Sequence, residues 1–162
     1  MGTGAYALSL TGASNSIAGA TTFANTGALT LGDDDTDTLA FTGGMTAAAP
    51  SVVHVQGTLR AAGTAQLSVG DADTGVAVAG TTVIGGVSTG GITLAAVTLA
   101  DDADLTLGDN TASTITVASV AGTTGGAASD LTFNTAGTVT VTGSVGTDIG
   151  TLTLTRGEGM TF

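Results

Sequence analysis

Three consecutive stretches decide how this chain folds: "ITLAAVTLADDADLTLGDNTAST" (92–114), "ITVASVAGTTGGAASDLTFNTAGT" (115–138) and "VTVTGSVGTDIGTLTLTRGEGMTF" (139–162). They are nearly equal in length and align with almost no gaps. Each opens with an apolar pair two apart: Ile92 and Leu94, Ile115 and Val117, Val139 and Val141. A single valine follows (Val97, Val120, Val145), then a second pair after a polar stretch: Leu105 and Leu107, Leu131 and Phe133, Leu152 and Leu154. Alternation at period two means short strands with one face buried. "VHVQGTLRAAGTAQLSVGDADTG" from Val53 reads as a fourth copy, with Val53 and Val55, then Leu59, then Leu67 and Val69.

A unit of this size cannot bury its own apolar side, but stacked on copies of itself it can. The chain is therefore expected to be all-β, a right-handed parallel β-solenoid (β-helix) with about 23–24 residues per coil. Residues 1–162 form a single repetitive domain on this reading, a fragment of a longer array. Glycine pairs in "TGG", "IGG" and "TTGG" are expected at tight corners, where positive φ is needed. The competing architecture is an antiparallel β-sandwich, because the spans 39–52 and 76–91 are shorter than a full circuit and Gly-Gly can close hairpins. An outer-membrane barrel needs longer strands and aromatic girdles, which 3% aromatic content does not supply. Pro50 and Gly63 interrupt the alanine-rich stretches "TAAAPSV" and "LRAAGTAQ", and Thr, Val and Gly dominate elsewhere, so helices are not expected.

Composition excludes several function classes. Apolar residues make up 42% of the chain, enough to fold it. Thirteen acidic residues face only Arg60 and Arg156, and the net charge of -11 repels nucleic acid phosphates and anionic lipid, so neither nucleic acid binding nor membrane insertion is expected. There is no cysteine, hence no disulfide or thiol chemistry. "MGTGAYALSL" lacks the basic and apolar regions of a signal peptide, so an export signal is expected elsewhere in a parent protein.

Carboxylates keep following the same kind of strand. "LTLGDDDTDTLAFTGG" from Leu29, "LSVGDADTGVAVAG" from Leu67 and "LTLGDNTASTITVAS" from Leu105 recur at a constant interval, placing Asp33, Asp71 and Asp109 in step. Stacked coils could align these three into an acidic ridge. With Asp35 and Asp73 beside them, they are the candidate ligands for calcium, a hard cation that takes six to eight oxygens. No cofactor is required on this reading. The structural alternative is that aspartates cap turns by accepting backbone N–H bonds. His54, the only histidine, lies in "VVHVQG" on the strand face opposite Val53 and Val55, near Ser51, with nothing to complete a catalytic triad. Arg60 and Arg156 are isolated, unlike the cationic groups of polysaccharide lyases, so no enzyme activity is expected. The threonines of "TVTVT" and "TLTLT" face outward and could form a flat face for ice or a surface glycan; outward β-propensity also explains them.

At "DLTLGDNTASTITVASVAGTTGG" and "LTFNTAGTVTVTGSVGTDIGTLTLT" the chain resembles the repetitive passenger regions of large bacterial surface proteins, the filamentous-haemagglutinin-type adhesins and autotransporters. The resemblance covers most of 29–155 and rests on composition and cadence. It implies secretion to the bacterial cell surface and a structural role as a rod or stalk in an adhesin or extracellular fibre. Unpaired edges on the end coils of such an array imply self-association end to end. The alternative role is a binding module for surface glycan or ice.

Overall fold

The computed structural model describes residues 4–162, which form sixteen strands and no helix. The first coil holds β1 (Leu8–Leu10), β2 (Ser14–Ile17) and β3 (Thr21–Thr22). The second holds β4 (Leu29–Leu31), β5 (Thr38–Phe41) and β6 (Met45–Ala47). From there most strands are longer and several bend around corners: β7 (Val52–Ala61), β8 (Leu67–Val69), β9 (Gly75–Gly86), β10 (Ile92–Leu99), β11 (Asp104–Thr111) and β12 (Ile115–Gly122). The last coils comprise β13 (Ser129–Thr135), β14 (Thr138–Val141), β15 (Ile149–Arg156) and β16 (Gly159–Thr161).

Every strand pairing is parallel. The chain is a β-solenoid of about seven coils, and the antiparallel sandwich is not what forms. Three faces result. Face A carries the inward column Leu8, Leu29, Val53, Val76, Val97, Val120 and Val145. Face B carries Asn15, Leu39, Leu59, Ile84, Leu107, Phe133 and Leu154. Face C carries Thr21, Met45, Leu67, Ile92, Ile115, Val139 and Met160. The numbering of the face-A column advances by unequal steps, shorter from Val76 to Val97 than from Val120 to Val145, so the coil is a fixed geometry spanned by a variable length of chain. Within the described residues no helix is long and apolar enough to cross a membrane.

The three C-terminal segments stack in the expected register, Ile92 on Ile115 on Val139. The Val53 segment belongs to the same winding in a different phase. Its first pair lies on face A, whereas the pair at Ile92 lies on face C, so its resemblance to the template reflects alternation common to all three faces. Aliphatic side chains fill the interior, with an edge-on pair of Phe23 and Phe41 (ring centroids 5.8 Å apart) in the first two coils.

Corners are made in two ways. β7 turns from face A to face B at Gly57, whose φ is +81°; a Cβ there would meet the Asp37 carbonyl oxygen at 2.6 Å. At the corner from B to C, buried hydroxyls do the work. Ser88 donates to the Ala65 carbonyl (2.6 Å), Ser113 to the Ser88 carbonyl (2.7 Å) and Thr135 to the Ser113 carbonyl, tying each coil to the one before. Among the glycine pairs, Gly44, Gly86 and Gly125 take positive φ as expected, while Gly90 and Gly91 do not.

Candidate functional site

The three recurring aspartates occupy three different corners. Asp33 and Asp35 lie between β4 and β5, where face A turns to B; Asp71 and Asp73 lie between β8 and β9, where C turns to A; Asp109 lies late in β11, where B turns to C. The cause is arithmetic. Each recurrence of the phrase carries the chain one coil plus two further faces, so Leu29, Leu67 and Leu105 stand on faces A, C and B. The ridge expected from Asp33, Asp71 and Asp109 does not form. Among the described residues no three His, Asp or Glu side chains gather to hold a metal ion.

The aspartate side chains instead bind backbone. Asp71 Oδ1 accepts from the N–H groups of Asp73 and Thr74, both at 3.0 Å. Asp34 Oδ1 accepts from the Thr36 N–H (2.9 Å) and hydroxyl (2.7 Å), and these bonds hold its carboxyl below the ordinary aspartate range. Asp33 moves the other way: partial loss of hydration, the side-chain hydrogen bond with Asp37 and the charges of Asp37 and Asp34 push its carboxyl up. Asp35 reaches furthest along the axis. Its Oδ1 accepts from Gln56 Nε2 (2.8 Å) in the third coil and from the Thr81 N–H (3.0 Å) in the fourth.

An acidic edge does exist, assembled from other residues. The A-to-B corner gathers Asp33, Asp34, Asp35 and Asp37 in the second coil, Asp101, Asp102 and Asp104 in the fifth, Asp130 in the sixth and Asp148 in the seventh. Asp104 and Asp130 are direct neighbours in register. The edge therefore concentrates most of the molecule's charge on one side.

Beside this edge, face A is hollowed into a trough of about 340 Å³ running along the axis. Two outward columns line it. One is Thr30, His54, Ala77 and Thr98, in register on successive coils. The other, two positions further along each strand, is Gly32, Gln56, Ala79, Ala100 and, on the sixth coil, Thr123. Alanines at the centre make the floor low, and larger polar side chains stand at its ends.

Face C presents a different pattern: Thr22, Thr46, Ser68, Thr93, Thr116, Thr140 and Thr161 form one outward column with a hydroxyl on all seven coils. The expectation of a flat threonine face thus has a physical counterpart, one column wide. Ser14, Thr38, Thr58, Val83, Thr106, Thr132 and Thr153 make a similar column on face B. Arg156 is engaged by Asn110, donating from Nη1 to Oδ1 at 2.6 Å. No protein-family model, curated protein or solved structure matches the chain.

Of the residues singled out in the sequence, His54 and Asp33 meet at the trough. Gln56, Ala77, Thr98 and Thr123 were not singled out, because only the winding brings them together. Once the phase of the coils is known, outward alanines between polar outward neighbours are the signal that finds them.

Proposed function

We propose that this chain is a structural segment of a secreted bacterial surface adhesin or extracellular fibre, a spacer whose length is set by its number of coils and which assembles end to end. The observation that carries this reading is the state of the two outer coils. The three inward columns run through the described chain and are less covered in its outer coils: Leu152 and Leu154 are 43% and 44% exposed, although their counterparts Leu131 and Phe133 are fully buried, and Leu8, Asn15 and Thr21 of the first coil are half-buried. Among the described residues β1, β2 and β3 have partners on one side only, as do β15 and β16. Such edges template further strands. The occupant argued here is a second copy, stacked head to tail so that parallel pairing continues.

Charge supports that direction of growth. Residues 1–32 contain no charged side chain, and the last coil carries only Asp148, Arg156 and Glu158, so end contact avoids the repulsion that meets any approach along the acidic edge. The test is size-exclusion chromatography with light scattering across protein concentration. Mass should grow in whole copies, and the double variant L152K/L154K, checked for β-structure by circular dichroism, should stay monomeric. A wild-type chain that remains monomeric at high concentration overturns the reading.

A second reading, a binding module for ice or a flat surface glycan, is favoured by the unbroken hydroxyl column of face C. Ice recrystallisation assays and binding to insoluble glycans, with T93A/T116A as the comparison, test it: activity that the variant loses supports it, and inactivity of the wild type in both removes it.

A further inference from the structure

The trough on face A is framed like a site for an elongated ligand. Its lining residues come from coils two to six, so it spans four rung steps of about 4.8 Å each. At about 340 Å³ it falls within the size range of ligand sites, about 300–1,000 Å³. Ala77, Ala79 and Ala100 supply a methyl floor; Thr30, His54, Gln56, Thr98 and Thr123 supply donors and acceptors along it. Gln56 is held by its bond to Asp35, which fixes part of the wall before any ligand arrives.

We propose that this trough binds an extended, uncharged glycan strand lying parallel to the solenoid axis. Sugar rings expose C–H surface on their faces and hydroxyls at their edges, and the trough offers methyl groups below and polar groups to the sides. Repetition favours a polymer, because the same pair of outward positions returns on each coil. Charge selects its class. No lysine or arginine lines the trough, Asp33 does, and the molecule carries -11, so a polyanion is repelled. Geometry rejects an extended peptide bound as an added strand, since the backbone of these coils is already paired on both sides. Lacking an aromatic platform, the trough gains affinity by length, so a single sugar binds far more weakly than an oligomer.

This site is separate from the end coils and from the threonine column, and its test distinguishes all three. In two-dimensional NMR titrations of the full chain, cellohexaose, laminarihexaose and mannohexaose serve as uncharged probes, glucose as the monomer and hexagalacturonate as the polyanion. At least one uncharged hexamer should shift His54, Ala77 and Thr98 signals and bind about tenfold or more tighter than glucose. Hexagalacturonate should leave those signals unmoved. A77I puts a β-branched residue on the outer side of a strand, which the fold tolerates, and fills the floor; it should weaken binding at least about tenfold. T93I on face C should bind as wild type, and A77I should stack end to end as wild type. The proposal fails if no uncharged hexamer moves the three signals, if A77I binds unchanged, or if the polyanion binds equally well.

Discussion

At Gly57 a left-handed backbone and a close approach coincide. Its φ is +81°, and an added Cβ would stand 2.6 Å and 2.7 Å from the carbonyl oxygens of Asp37 and Asp34, so neither strain nor contact can relax without moving the neighbouring corner. Gly57→Ala should cost about 2 kcal/mol or more in urea unfolding. Gly63 has a similar φ (+63°) and nothing within 4 Å, so Gly63→Asn, a residue that tolerates this region, should lie within about 0.5 kcal/mol of wild type. The carboxyls of the same corner make a second comparison, this time in pH. Asp34 is held below 3.8 by its bonds from Thr36, so its contribution to the turn is present above that pH and lost as pH falls through its lowered pKa. Asp33 is raised above 3.8, so its contribution is full below 3.8 and lost as pH climbs through its raised pKa. Carboxyl carbon NMR should therefore find Asp33 titrating above 3.8 and Asp34 below it. T36V, which removes the hydroxyl and keeps the N–H, should raise the Asp34 midpoint. Coincident midpoints for the two carboxyls would contradict this account of the turn.

The coil, rather than the recurring phrase, is the structural unit, and deletions separate the two. Val97 pairs with Val76 on face A one coil later, so removing 76–96 joins Gly75 to Val97 with every column still aligned. That variant should unfold cooperatively with an m-value lower by about one coil in seven. Removing 67–104, one full interval of the phrase, joins Gln66 to Leu105 and puts a face-B strand where face C belongs. The glycine-free bend of β12, which must turn from C to A, then falls at the wrong corner. This variant should lose cooperative unfolding; if instead it proves the more stable of the two, the assignment of faces is wrong. The same contrast explains what could be read from the residues alone. Strand alternation and the register of Ile92, Ile115 and Val139 were legible because those segments have nearly equal lengths and begin on the same face. The phase of the N-terminal coils was not, because β7 and β9 turn a corner without a run of turn residues and successive coils use unequal lengths of chain. For that reason the aspartates at 33, 71 and 109 suggested one ridge and stand at three corners, while the acidic edge formed by Asp104, Asp130 and Asp148 went unseen. The trough was hidden for the same reason, since Ala77 is a floor only when His54 and Thr98 are its neighbours.

Seven coils at about 4.8 Å per rung span only about 30 Å, so the described coils form a short three-sided prism, which the head-to-tail stacking proposed above would lengthen. A head-to-tail stack that continues the winding repeats the acidic A-to-B edge in every copy, giving the filament a charged flank. End contact and side contact then respond differently to pH. At neutral pH and low salt, where the Debye length is about 30 Å at 0.01 M, flank repulsion should keep filaments single. Near the sequence pI of about 4.1 the net charge falls towards zero and the repulsion between flanks falls with it, whereas the first coil has no charged side chain to neutralise. Lateral bundles should therefore appear on acidification, with end-to-end contacts retained inside them. Salt near 1 M, which shortens the screening length to about 3 Å, should produce part of the same bundling at pH 7. Light scattering paired with electron microscopy reads both events, because lateral growth changes filament width and end growth changes length. Bundles at neutral pH and low salt would show that the acidic flank does not govern side contact. Filaments that dissolve into single copies on acidification would show that charge, rather than the uncovered apolar columns, holds the ends together.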